Sequence, residues 1–197
     1  MTLRRFVPYV LPLAALVALA APASAGETPR WIAPLRGHLA LGYAQLFLTD
    51  APGGSISFAG GIDAPVAKDL RAGVEIGFDL LGSRTARLEN STVAADLDYS
   101  AFEALAMLHW QPSFPGPLGR LSAGAGVFGA KAALSSVAAA QYEHLAVDDV
   151  VGGFAATATF IQRRPALVRV GLETGARLLL VPEEWWVVAH ARLAFHF

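Results

Sequence analysis

The 197-residue chain contains no cysteine. Disulfide frameworks, thiolate metal centres, cysteine nucleophiles and a lipoprotein anchor on an acylated cysteine are therefore excluded. Charge is scarce as well: Asp, Glu, Lys and Arg make up 16% of the residues, against 54% hydrophobic, and the formal net charge is -1. So apolar a chain does not stay disordered, and without a basic patch it has no footprint for nucleic acid. Beyond the N-terminus no 18-residue stretch is free of both charges and turn residues, which excludes a bundle of transmembrane helices.

The first 25 residues read as a targeting segment. Arg4 and Arg5 precede an apolar run from about Leu11 to Ala20, and Ala23-Ser24-Ala25 has the small-x-small pattern of a signal peptidase site. Residues 1–25 are expected to be a cleaved signal peptide and 26–197 a single domain. That domain carries 13 basic and 16 acidic side chains, a charge of -3.

The domain alternates with a period of two, the repeat of a strand with two unlike faces. Leu70, Ala72, Val74, Ile76, Phe78 and Leu80 stand on one parity, Arg71, Gly73, Glu75, Gly77 and Asp79 on the other. The same pattern runs from Val168 to Leu178 and from Trp185 to Phe197, and weaker versions cover 38–48, 55–64, 101–110, 120–130 and 150–161. Eight antiparallel strands are predicted, joined by turns rich in Pro and Gly. Two connections, 82–96 and 131–149, are longer and polar, and both fall on the side opposite the chain ends.

Three features predict that the apolar face points outward, into a bilayer. Gly42, Gly61, Gly73, Gly77, Gly124, Gly126, Gly171 and Gly175 lie on the polar face, where they suit a crowded interior. The only lysines, Lys68 and Lys131, stand at strand ends, whereas a soluble barrel carries them along its outside. Aromatic residues form two belts on the apolar face: Phe47, Phe58, Phe78 and Trp185 toward the long loops, and Trp110, Phe160, Phe195 and Phe197 toward the other end. The fold class predicted is an all-β, eight-stranded, antiparallel, up-and-down transmembrane barrel.

On strand count, polarity pattern and the closing Leu193-Ala194-Phe195-His196-Phe197, residues 35–197 resemble the small eight-stranded outer-membrane barrels of Gram-negative bacteria. That group includes the transmembrane domain of outer membrane protein A and its porin-family relatives. The resemblance implies an outer-membrane location, contact with outer-membrane lipid and lipopolysaccharide, and assembly by the barrel assembly machinery, with Phe195 and Phe197 as the terminal signal. It implies neither a nucleic-acid partner nor a cofactor, and nothing in it fixes an oligomeric state.

An eight-stranded barrel is just wide enough to be filled by its own side chains. Arg71, Arg169, Arg177 and Arg192 face Glu75, Asp79, Glu103 and Glu173 in the predicted interior, four charges against four, and a turn near Pro182 puts Glu173 opposite Arg192. A self-neutralising plug is the expectation, with exchange of partners along a narrow path as the functional variant. The expected role is envelope structure with at most limited passage of small solutes. The alternatives are a narrow pore or carrier for small hydrophobic molecules, and a surface protein that binds through its loops.

No enzyme is expected. Lipid A deacylases of this barrel size carry His-x-Ser on a strand, whereas here His190 leads to Arg192, His109 to Gln111 and His38 to Ala40. Glu143, His144, Asp148 and Asp149 have the ligand types for a divalent cation but read as a solvated acidic loop. Arg84 and Arg87 are expected in a loop, within reach of lipopolysaccharide phosphates.

Overall fold

Eight strands follow one another around a closed barrel, each hydrogen-bonded antiparallel to the next and the last to the first. They are β1 (Arg36–Phe47), β2 (Ser55–Ala67), β3 (Leu70–Arg87), β4 (Ala94–Trp110), β5 (Leu118–Leu134), β6 (Val147–Ile161), β7 (Arg169–Leu179) and β8 (Trp186–His196). The computed structural model describes residues 35–48, 53–87, 94–112, 117–134, 146–161, 168–182 and 184–197. The predicted signal peptide lies outside the described residues.

The predicted faces hold along the spanning part of every strand. Leu39, Ile62, Ile76, Phe102, Phe154 and Leu193 stand exposed on the outside, while Arg71, Glu75, Asp79, Glu103, Arg177 and Arg192 are buried. A shell so apolar around a charged interior is the inverse of a soluble protein and is stable only in a bilayer. Both aromatic groups are on the outer surface.

The two long connections are shorter than expected, because β3 runs on to Arg87, β4 starts at Ala94, β5 reaches Leu134 and β6 starts at Val147. Their alternation is inverted there. Ser83, Thr85, Asp96, Asp98, Lys131 and Asp148 face outward and are exposed, while Ala86, Ala95, Leu97 and Ala132 face inward and are buried. A search for apolar residues on the outer parity stops where that parity turns polar. β7 and β8 have 11 residues each, about what a tilted strand needs to cross the hydrocarbon. β3, β4 and β5 have 18, 17 and 17, so one side of the barrel rises as a wall with a polar outer face.

A bulge between Leu80 and Gly82 shifts the register at the foot of that wall. Gly82 sits there at φ +85°, in the left-handed region where a side chain is disfavoured, and an added Cβ would strike the carbonyl of Gly53. The bulge also swaps parity. Arg84 therefore lies in a strand, half-buried and opposite Leu97, where an outward-pointing loop residue was expected. Arg87 is the last residue of β3. At the other end β2 continues through Pro65 to Ala67, with a register shift between the two, and the turn shrinks to Lys68 and Asp69.

Candidate functional site

The lumen has a charged layer and an apolar layer. In the charged layer Arg192 is buried and reaches from β8 to Asp79 on β3 at 3.1 Å. Its other carboxylate neighbours are its register partner Glu173 on β7 at 3.6 Å, Glu75 at 3.8 Å and Glu103 at 3.8 Å. Arg177 holds the second oxygen of Asp79 at 2.9 Å, pairs with Glu103 and lies 3.7 Å from Glu75. Ser57 links the two sides, since its hydroxyl accepts from Arg192 Nε at 2.6 Å and donates to Asp79.

Nearer the end where β1 begins and β8 ends, Asp63 takes the Nε of Arg71 and lies 3.6 Å from Arg120. Arg120 in turn lies 3.4 Å from Glu173, which joins the two clusters. His38 Nε2 stands 3.1 Å from Glu75. Four arginines and five carboxylates thus form one connected set. Removal of any single member leaves neighbours charged and dry, which is the costly case for a buried pair. Glycine makes the space: a Cβ on Gly77 would collide with the Glu103 carboxyl, and one on Gly61 would meet the His38 ring.

Above this layer the lumen is apolar. Leu46, Leu81, Leu97, Tyr99, Phe128, Leu179, Val181 and Trp186 belong to one buried cluster that fills the interior toward the wall. The Tyr99 and Trp186 rings meet at 5.6 Å. An eight-stranded barrel is just wide enough to hold such side chains.

Seven of the eight predicted lumen residues come together: Arg71, Glu75, Asp79, Glu103, Glu173, Arg177 and Arg192. Arg169 does not. It lies at the strand ends as the register partner of His196 and pairs with no carboxylate among the described residues. Asp63 and Arg120 are absent from the predicted set, although both fall within predicted strands, 55–64 and 120–130. Their parity could have found them, since Asp63 shares that of Ser57 and Gly61, and Arg120 that of Gly124 and Gly126. Phe195 and Phe197 point outward at the strand ends, where the backbones of Phe197 and Gly37 exchange two hydrogen bonds of 2.9 and 3.1 Å.

Among the described residues the histidines all face the lumen. His109 Nδ1 is 2.8 Å from Ser122 Oγ, but both are buried on the lumen side, away from the surface that a lipid ester would approach. Glu143 and His144 lie outside the described residues, and Asp148 is the register partner of Lys131. Among the described residues no group of His, Asp and Glu is arranged to hold a metal ion.

No protein-family model matches the chain, and no curated protein matches its sequence. Solved structures match its fold. Ail, the attachment invasion locus protein of Yersinia pestis, solved in complex with the heparin analogue sucrose octasulfate, gives a TM-score of 0.52 at 15% identity over 83% of this chain and 99% of that one. Neisserial surface protein A gives 0.53 at 9% identity over 82% and 95%. The backbone structure of Ail in a phospholipid bilayer nanodisc gives 0.52 at 12% identity over 83% and 100%. The fold of this chain is that of the small eight-stranded outer-membrane β-barrels.

Proposed function

We propose that the chain is a sealed, non-enzymatic barrel that serves the outer membrane as a structural envelope element, after export directed by residues 1–25. The observation that carries this reading is the filled interior, with a charged layer of mutually engaged arginines and carboxylates below a cluster of buried apolar side chains. On this reading the exposed apolar faces contact lipid, the polar wall meets lipopolysaccharide headgroups, and Phe195 and Phe197 serve the barrel assembly machinery. The test is planar-bilayer conductance of the refolded protein without its leader. Silence from barrel that retains its heat-modifiable gel mobility is the expected result. Discrete conductance steps would overturn the sealed reading and favour a narrow pore.

A second reading, surface binding, draws on the wall built by β3 to β6, whose outer residues Ser83, Thr85, Asp96, Asp98, Lys131 and Asp148 stand free of the hydrocarbon span. Ail, of the same fold, was solved with a heparin analogue bound. Cells carrying the barrel with the β3–β4 hairpin trimmed to the length of β7 and β8 should lose adhesion to a glycan-coated surface if the wall is the binding element. Equal adhesion would remove this reading.

A further inference from the structure

Away from the mouth where β1 begins and β8 ends the charged layer sets Arg177 and Arg192 against Glu75, Asp79, Glu103 and Glu173, and at that mouth the sign turns positive. Arg36, Arg71, Arg120 and Arg169 converge there, and Arg36 lies within electrostatic range of both Arg71 and Arg169. Asp63 is the buried carboxylate that Arg71 and Arg120 both engage here, it lies within electrostatic range of Arg36 as well, and Asp69 stands in the β2–β3 turn at the same end. The other carboxylate beside Arg120, Glu173, is also beside Arg192. Arg36 has a neutral partner, the Gln111 side-chain oxygen at 2.8 Å, and Arg169 pairs with no carboxylate among the described residues.

Behind these two arginines stand polar atoms with nothing to bond. His196 Nε2, His38 Nδ1 and Arg120 Nε have no hydrogen-bond partner among the described residues, on side chains exposed by only 6%, 2% and 2%. The His38 and His196 rings are stacked with centroids 5.8 Å apart. A buried polar atom without a partner costs about 1–3 kcal/mol. The same lack recurs deeper in the lumen at Glu103, Glu173, Arg177, His190 and Arg192, and what sets this mouth apart is that its unpartnered atoms are all nitrogens beside arginines. The excess charge is positive and two guanidinium forks are available. The matching chemistry is an oxyanion with several acceptor oxygens, and phosphate suits the fork better than a monovalent halide.

We propose that this mouth of the lumen is a binding site for a phosphate group, held at the rim by Arg36 and Arg169 and met from behind by His38, His196 and Arg120. The group can come from free phosphate or from the headgroup of an anionic phospholipid in the adjoining leaflet; both present the same oxygens. The site is distinct from the sealed path above it, and it stands whether or not the barrel conducts.

The test is the 31P line broadening of inorganic phosphate with the folded protein in phosphatidylcholine nanodiscs at low ionic strength, where screening is weak. Wild type should bind saturably. Arg36→Gln and Arg169→Gln should each weaken binding about tenfold, the loss of one charge-assisted hydrogen bond, and the double variant should abolish it. Arg84→Gln, at the opposite end, should bind as wild type does. Heat-modifiable gel mobility reports whether each variant is folded. Absence of saturable binding, or equal affinity in wild type and a folded double variant, would overturn the proposal. With phosphatidylglycerol in the discs, a fall in wild-type phosphate affinity assigns the site to a lipid headgroup, and an unchanged affinity assigns it to a soluble phosphate.

Discussion

Arg192 on β8 and Asp79 on β3 are 113 positions apart in sequence and 3.1 Å apart across the lumen. Three strand boundaries separate them around the wall, so the pair acts as an internal strut. Arg192→Ala would leave Asp79, Glu75, Glu103 and Glu173 short of the same cation. A loss of about 3–5 kcal/mol is expected, as for other broken buried pairs. The measurement is the temperature at which unheated gel mobility is lost, and an unchanged transition would argue against the strut.

The Glu103 carboxyl occupies the space that a side chain at Gly77 would take. Gly77→Ala should push Glu103 away from Arg177 and cost about 1–3 kcal/mol, as overpacked sites do. Adding Glu103→Gln to Gly77→Ala should give a non-additive result in urea unfolding, because one change alters what the other disturbs.

Trp185 and Trp186 are adjacent in sequence and opposite in environment, exposed by 66% and 2%. Trp186→Ala should cost about 3–5 kcal/mol through the cavity it leaves among Tyr99, Leu46 and Val188. Trp185→Ala should leave the thermal midpoint near that of wild type. Equal effects would mean that the apolar upper layer contributes little to stability.

Gly82→Ala places a side chain at φ +85° against the Gly53 carbonyl. The strain should cost about 1–2 kcal/mol from the backbone alone. Limited proteolysis should find the β3–β4 hairpin cut faster, with the spanning part of the barrel intact.

Ile76 faces outward in the spanning part of β3, and Ser83 faces outward beyond the bulge. Ile76→Arg should destabilise folding into liposomes by about 2–4 kcal/mol if that surface meets hydrocarbon. Ser83→Arg should stay within about 0.5 kcal/mol of wild type. Similar costs at both positions would shift the membrane boundary up the wall.

Much of this arrangement was legible because a barrel strand writes its two faces in alternate residues. Leu70 to Leu80 gave β3, and the opposite parity named Arg71, Glu75 and Asp79 as lumen residues. Legibility failed where a second solvent entered. Above the bilayer Asp96 and Asp98 take the outer parity that Phe102 and Leu108 hold within it, so strand continued where a loop was expected. The apolar upper lumen was missed for a related reason: Leu97, Tyr99, Ala101 and Leu105 point inward, where polar residues were sought. Arg169 shows the limit of parity. Alternation places it on the lumen side, but its height among the strand ends decides that no carboxylate reaches it.

The seam between β1 and β8 bears on the order of folding. Seven of the eight strand pairs join neighbours in sequence and can form as hairpins while the rest of the chain is loose. The eighth sets His38 against His196 and brings nearly the whole domain into one ring. Closing so large a loop is the step that local contacts cannot prepare, and contacts at long sequence separation are the slow ones. The struts that cross the lumen from β8 to β3 gain their partners only at that moment. Before closure the arginines of β7 and β8 and the carboxylates of β3 belong to opposite ends of an open sheet, so only pairs between neighbouring strands, such as Arg71 with Asp63 and Arg192 with Glu173, can form ahead of the ring, and the rest of the neutralisation comes with its completion.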